Sequence, residues 1–215
     1  MTTTGKQRRK GRNKDATKAA LLEAGATAFA TKGFDGATLD EIAEEAGVNK
    51  AMVAYYYSDK AGLFQAILQD SVEFILGAVE ADVDNSMAAR DQLANFISAL
   101  GKMMARRPAF PAMLLRDYMS GRFQQSDELV SQLMKFSAET RRILELGEQR
   151  GEFRVVDYHM FHLMIVGSLA YFIASTRFRQ DLSSRPGGWH EEMPGLDGFV
   201  DQLIFTTLDG LCTDP

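Results

Sequence analysis

Over residues 38–60 the chain reads TLDEIAEEAGVNKAMVAYYYSDK, and its apolar positions form two short helical patterns separated by a break. Leu39, Ile42, Ala43 and Ala46 recur at helical spacing and predict one apolar face. Thr38 with Glu41 three residues later is a capping box, which sets the start of that helix. Gly47 stops it, because glycine enters the left-handed conformation of a tight turn without steric penalty. Val48 supplies an apolar plug, Asn49 is a good cap for a second helix over about 50–57, and Ser58-Asp59 can cap a third. Two short helices joined by a glycine-containing turn form a helix-turn-helix pattern.

The flanking pattern is helical throughout, with no strand-period stretch and no repeat, so the fold class predicted is all-α. Residues 15–32 read as a first helix with Ala19, Leu22, Ala26 and Phe29 inward; Gly33 ends it and Phe34 folds back onto Phe29. After Ser58 a long helix to about 82 places Leu63, Phe64, Ile67, Leu68, Phe74, Ile75 and Val79 inward. Helices follow over 87–106, with Leu93, Phe96, Ile97, Leu100 and Met104 inward, over 112–119, and over 126–150, with Leu129, Leu133, Phe136, Ile143, Leu144 and Leu146; Pro108 and Pro111 mark a boundary. Residues 157–178 are apolar nearly all round, which predicts burial on every side, with a partner subunit as a source of the cover. The stretch 180–195 is polar and turn-rich, long for an internal connection, and so either mobile or functional. A last helix, 196–211, carries Phe199, Leu203, Ile204 and Leu208 on one stripe.

The second helix of the motif has a divided surface. Val53 and Tyr57 face the core with Val48, while Lys50, Ala51 and Ala54 are small or basic on another side. Small residues let a helix enter a major groove, and lysine donates to guanine O6 and N7. Tyr55, Tyr56 and Lys60 carry hydroxyl and ammonium donors suited to phosphate oxygens.

With its upstream helix, the run GFDGATLDEIAEEAGVNKAMVAYYYSDKAGLF resembles the DNA-binding domain of the tetracycline-repressor (TetR) family, a likeness covering roughly residues 15–64. The resemblance implies a dimeric, all-helical transcriptional regulator, usually a repressor released by a small molecule, with the final two helices of each subunit forming a four-helix interface. It places Thr38, Lys50, Ala51, Met52, Tyr55 and Lys60 where the family touches DNA. Ala54 stands where the family usually has tyrosine, and Tyr57 where phenylalanine is common. The departure at Ala54 leaves a second reading: a helical ligand-binding or dimerisation protein without sequence-specific DNA binding.

Charge changes this picture at one end. The net charge is −5, yet residues 1–14 hold Lys6, Arg8, Arg9, Lys10, Arg12 and Lys14 with no acid, a local +6 that leaves −11 for the remainder. A basic tip on an acidic body attracts DNA at one end. With no apolar periodicity, residues 1–14 read as a disordered basic arm in which Arg8, Arg9 and Arg12 reach DNA. The organisation expected is therefore this arm, a DNA-binding domain over 15–62, and a helical effector-binding and dimerisation domain over 63–215. The single cysteine, Cys212, excludes an intrachain disulfide. The most apolar stretch, 160–174, is short of a membrane span, so a soluble cytoplasmic protein is expected.

Other chemistry has little footing. His159 and His162, three apart on a helix, lack the cysteine or glutamate companions of a metal site. His190 has no nucleophile motif to pair with, and no phosphate-binding glycine loop is present. No catalysis, cofactor or metal is predicted. Methionines and aromatics of the middle helices suit an adaptable apolar effector site: Phe96, Met103, Met104, Met113, Tyr118 and Phe136, with Arg116 and His162 as polar groups. The partners expected are an operator in double-stranded DNA, a small apolar effector and a second copy of the chain.

Overall fold

The computed structural model describes residues 4–81, 86–120, 127–186 and 195–213, with side chains from residue 14 and, in the first stretch, to residue 79. Among them lie ten helices, and the extended pairing is a single antiparallel bridge, Phe153 with Cys212. Contacts gather the chain into two units: residues 1–71 with 112–126, and residues 72–111 with 127–215.

The first unit holds α1 (Thr4–Gly36), α2 (Leu39–Glu45), α3 (Ala51–Tyr57), the opening turns of α4 (Lys60–Ala81) and most of α6 (Ala109–Ser120). Its core is built from Leu21, Phe29, Ile42, Val53, Leu63, Phe64, Ile67 and Leu68. Phe29, Phe34 and Phe64 form a ring cluster with centroids 5.1 to 5.8 Å apart. A Cβ at Gly25 would lie 2.8 Å from Ile67 Cδ1, so the missing side chain is what lets α1 approach α4.

Two expectations for α1 change. Helix begins at Thr4, not near residue 15, so residues 4–14, expected to be disordered, are helical. Lys, Gln and Arg are good helix formers, and extending an existing helix avoids the cost of nucleating one. The buried row is Leu21, Ala24, Gly25 and Phe29, whereas Ala19 is exposed and Leu22 and Ala26 are half-buried. The run Ala19-Ala20-Leu21-Leu22 offers two apolar stripes one residue apart, and packing against Ile67 and Leu63 selects the second. Gly33 ends the regular helix as expected, at φ 75°.

The second unit holds the remainder of α4, α5 (Ala89–Arg106), α7 (Asp127–Gln149), α8 (Tyr158–Ala174), α9 (Thr176–Ser184) and α10 (Leu196–Leu211). The expected inward residues of α5, Leu93, Phe96, Ile97, Leu100 and Met104, are all buried; of the α7 row, Leu129, Phe136, Ile143 and Leu144 are buried, and Leu133 and Leu146 half-buried. Lys60–Val79 of α4 has the length and composition of a membrane span, but core helices share both, and Leu63, Ile67, Val72 and Ile75 are buried. Asp157 caps α8 by accepting from the backbone of His159 and Met160 at 2.9 and 3.0 Å. Those bonds hold its carboxyl below the ordinary value.

The single helix expected over 157–178 is two, bent by 54° at Ser175. Ser175 donates to the Tyr171 carbonyl at 2.6 Å and Thr176 to that of Ile173 at 2.8 Å, and such hydroxyl back-bonding bends helices. The Arg179 guanidinium also donates to Phe172 O. The turn-rich stretch expected at 180–195 accordingly starts as helix α9, and its centre, 187–194, lies outside the described residues. On α10 the expected stripe of Phe199, Leu203, Ile204 and Leu208 is only half-buried; the buried row is Val200, Thr207 and Leu211.

Gly147 tests the tightness of this core. A Cβ there would lie 2.0 Å from Phe153 Cδ2, whereas one at Gly77, on an exposed helix face, meets nothing within 4 Å. Gly147→Ala is expected to destabilise by about 1–3 kcal/mol through overpacking. Gly77→Ala should instead raise stability by about 0.5–1 kcal/mol through backbone entropy. Thermal or denaturant melts check both; equal effects of the two alanines would contradict the packing described.

Candidate nucleic-acid interface

Thr38 and Glu41 form the capping box reciprocally, each backbone N–H donating to the other's side chain at 3.3 Å. Lys32 at the end of α1 pairs with Glu41 at 3.0 Å, and this contact, with the Thr38 hydrogen bonds, holds the Glu41 carboxyl below its ordinary value. The α1–α2 corner is thus tied on both sides. Gly47 turns at φ 65°, and Val48 N–H returns to the Ala43 carbonyl at 2.9 Å. Asn49 Oδ1 then accepts from Ala51 N–H at 2.8 Å, starting α3.

On α3 the fully buried side chain is Val53; Lys50, just before it, and Ala51 and Ala54 within it are exposed, and Tyr55 is 71 % exposed. Met52, Tyr56 and Tyr57 are half-buried. Tyr57 donates its hydroxyl to the Lys18 carbonyl at 3.3 Å, and burial, then Asp70 and Tyr56, push its pKa up. It braces α3 on α1. The Lys14 and Lys18 ammoniums lie 6.0 and 5.8 Å from the Tyr56 ring centroid, so basic groups of α1 sit beside that end of α3. Lys50 holds an exposed ion pair with Asp40 at 2.8 Å, a contact worth little and easily exchanged for another partner.

The exit from α3 is tight. Ser58 has φ 67° and ψ −57°, and Asp59 N–H bonds Tyr57 O at 2.8 Å, the geometry of a strained γ-turn. A Cβ at Gly62 would lie 2.0 Å from Tyr57 O, so α4 can start this close only over a glycine. Asp59 caps α4 through Gly62 N–H at 2.8 Å. Lys60, expected to face phosphate, turns inward instead. Its ammonium donates to the carbonyls of Ala37 at 2.8 Å and Asp35 at 3.3 Å, and lies 4.7 Å from the Phe34 ring centroid. The signal for this is a basic residue one turn past an aromatic cluster, which sequence does not separate from a surface lysine.

Thr38, Lys50, Ala51, Met52, Tyr55 and Tyr56 therefore belong to one exposed or half-exposed end of the first unit. The side chains of Arg8, Arg9 and Arg12 lie outside the described residues. The expected effector residues divide between the units. Met113, Arg116 and Tyr118 stand on α6 in the first, where Met113 and Arg116, with the phenylalanine cluster, line a small hollow with room for about one water. That is far below the usual range of about 300–1,000 Å³ for a ligand pocket. Phe96, Met103, Met104, Phe136 and His162 stand in the second unit, with Phe96, Met104 and Phe136 in its core. His162 Nδ1 lies 2.9 Å from the hydroxyl of Thr140, a buried partner that sequence reading passed over. His159 sits 3.7 Å from Asp157.

Comparison with known proteins gives a consistent result. Residues 21–67 match the family model for bacterial regulatory proteins of the tetR family, and residues 86–173 match a tetracyclin repressor-like C-terminal domain. An HTH-type transcriptional repressor of Streptomyces coelicolor is 35 % identical over 88 residues, 41 % of this chain and 46 % of that protein. The HTH-type transcriptional regulator RutR of Escherichia coli K12 is 26 % identical over 170 residues, 79 % of this chain and 78 % of that one. Among solved structures, the ketosteroid transcriptional regulator KstR2 of Mycobacterium tuberculosis superposes with a TM-score of 0.73 at 18 % identity, covering 92 % of this chain and 95 % of that one.

The two lysines separate experimentally. Lys50→Ala should leave the melting temperature unchanged and cost about 1–3 kcal/mol of discrimination between operator and random DNA. Lys60→Ala strips donors from two carbonyls, so it should lower the melting temperature and weaken binding to both DNAs alike. Gel shifts with a thermal melt distinguish them. A Lys60→Ala protein that melts like wild type would put its ammonium on phosphate instead.

Proposed function

The chain belongs to the TetR family of bacterial regulatory proteins and is a DNA-binding transcriptional regulator, and from that premise we propose that it acts as a homodimeric repressor, binding a palindromic operator and leaving it when a small apolar molecule binds. The observation that carries the dimer is the outer row of α8. Met160, Leu163, Met164 and Tyr171 are exposed, with Met160 at 65 % and Tyr171 at 66 %, although they follow one another at helical spacing. Large apolar side chains contiguous on a surface mark an interaction site. Gly167 lies in the same row with nothing within 4 Å of a Cβ, leaving room for a close helix from a second copy. The half-buried stripe of α10 would complete its burial in the same interface.

In this reading α3 enters the major groove with Lys50, Ala51 and Ala54 toward the bases, and Thr38, Tyr55 and Tyr56 toward the backbone. Two such helices must stand about 34–36 Å apart to enter successive grooves on one face of the duplex. Because α4 supplies residues to both units, a ligand that shifts it changes that spacing. DNA and ligand then oppose each other reciprocally, with a coupling of about 1–3 kcal/mol. The place of work is the cytoplasm, where the DNA is.

Light scattering at micromolar concentration should give the mass of a dimer for wild type, and Gly167→Arg should yield a monomer with an intact helical spectrum. A wild-type monomer bound singly to a half-site overturns the proposal. Deleting residues 1–12 should lower affinity and flatten its salt dependence, since each phosphate neutralised contributes about 0.9 to the slope of log affinity against log salt. An unchanged slope would remove the basic segment from the interface.

A further inference from the structure

Gln132, Phe136, Thr140 and Ile143 follow one another along the buried face of α7. Two of the four are polar. The Gln132 amide nitrogen donates to Glu73 Oε1 at 3.2 Å and to Glu128 Oε1 at 3.4 Å. Those carboxylates fix the orientation of the amide, because the flipped form would set oxygen against oxygen. Gln132 Oε1 is buried, and no donor among the described residues reaches it. In native proteins a buried acceptor of this kind is met by a water or a ligand.

About 12 Å further along the helix, from eight residues at the α-helical rise, lies the second group. Thr140 Oγ1 is 3.1 Å from the Phe136 carbonyl and 2.9 Å from His162 Nδ1. A carbonyl can only accept, so the hydroxyl proton goes to Phe136, and Nδ1 must carry a proton and donate to Thr140. In the neutral ring this leaves Nε2 as an acceptor. Burial, with His159 nearby, pushes the His162 pKa below its ordinary value, which keeps the ring neutral at pH 7. The next two cations on α7 are both engaged, Arg141 by Glu145 at 2.6 Å and Arg142 by Glu139 at 2.7 Å and Gln92 at 2.9 Å.

We propose that Gln132 Oε1 and His162 Nε2 are the polar ends of the effector site in the second unit, and that the effector is an uncharged, largely apolar molecule carrying hydroxyl donors rather than a carboxylic acid. The Phe136 ring between them supplies the apolar contact. An anion would meet two acceptors at the ends of the row, with the Glu73 and Glu128 carboxylates beside one of them. This proposal rests on the reading that a small apolar molecule controls operator binding.

Calorimetry on the full-length protein without DNA, using decanediol, decanol and decanoic acid as probes, tests it. The diol should bind tightest, the alcohol next and the acid weakest. Gln132→Leu removes the acceptor that lacks a donor, so it should weaken diol binding about three- to tenfold while the melting temperature does not fall. His162→Phe should weaken the diol to a similar extent. If Gln132→Leu does not fold, Gln132→Met, closer in shape, carries the same readout. An acid that binds as tightly as the diol overturns the proposal, as does the failure of all three probes to bind. So does an unchanged diol affinity in both variants, which would leave Gln132 holding a buried water only. Gel shifts with each probe keep the two readings apart. A diol that binds as stated but leaves the operator bound overturns release and spares this inference; an acid that binds and releases the operator does the reverse.

Discussion

A DNA-reading helix cannot bury the face it reads with, and the rest of the first unit answers to that constraint. The seven residues of α3 bury one side chain fully, Val53. A helix this short is not stable alone, and one buried valine is worth about 1.5–3 kcal/mol at most. Its position therefore has to be set at its ends and flank. Asn49 and the Gly47 turn hold the entry; the Ser58 γ-turn, the Gly62 contact and the Asp59 cap hold the exit; Tyr57 reaches back to α1. Lys60 closes the arrangement by tying the first turn of α4 to the carbonyls that leave α1. None of the exposed face is needed for the fold, which leaves it spare for the proposed contact with DNA.

The second unit shows the opposite economy. Its helices bury apolar rows well, and the polar groups left inside are Gln92, Gln132, Thr140 and Thr207, on α5, α7 and α10. Burying such groups is costly unless they are bonded, and Gln132 Oε1, which no donor among the described residues reaches, therefore calls for a use. In the proposed reading, a regulator that responds to a small molecule needs a few fixed polar groups within an apolar lining to set orientation. The outer row of α8 fits the same economy, because an apolar surface that stayed wet would be a liability.

Sequence disclosed a good deal of this. The capping box at Thr38 and Glu41, the Gly47 turn and the α5 core row were readable because each depends on contacts within a few residues. In the α1 stripe Phe29 holds its place, but Leu21 and Gly25 are buried where Leu22 and Ala26 were expected, because Ala19-Ala20-Leu21-Leu22 satisfies two helical phases and only Gly25 against Ile67 decides between them. The bend at Ser175 was hidden because hydrophobicity continues through it; the hydroxyl bonds that open the helix are not a hydropathy signal. Lys60 was read as a surface cation for a similar reason: its carbonyl partners lie 23 and 25 residues away in the chain. The His162–Thr140 pair spans 22 residues and two helices, and the histidine alone gave no sign of its partner.

Native-state hydrogen exchange of the α3 amides tests the central claim most directly. If the reader is held by its end joints, the amides of Tyr55, Tyr56 and Tyr57 should exchange with nearly the protection of the α4 amides around Ile67 and Leu68, in the absence of DNA, because α3 then opens only when the unit does. Exchange of α3 near the unprotected rate, with α4 still protected, would mean that the helix is ordered by DNA rather than presented to it, and would contradict the account.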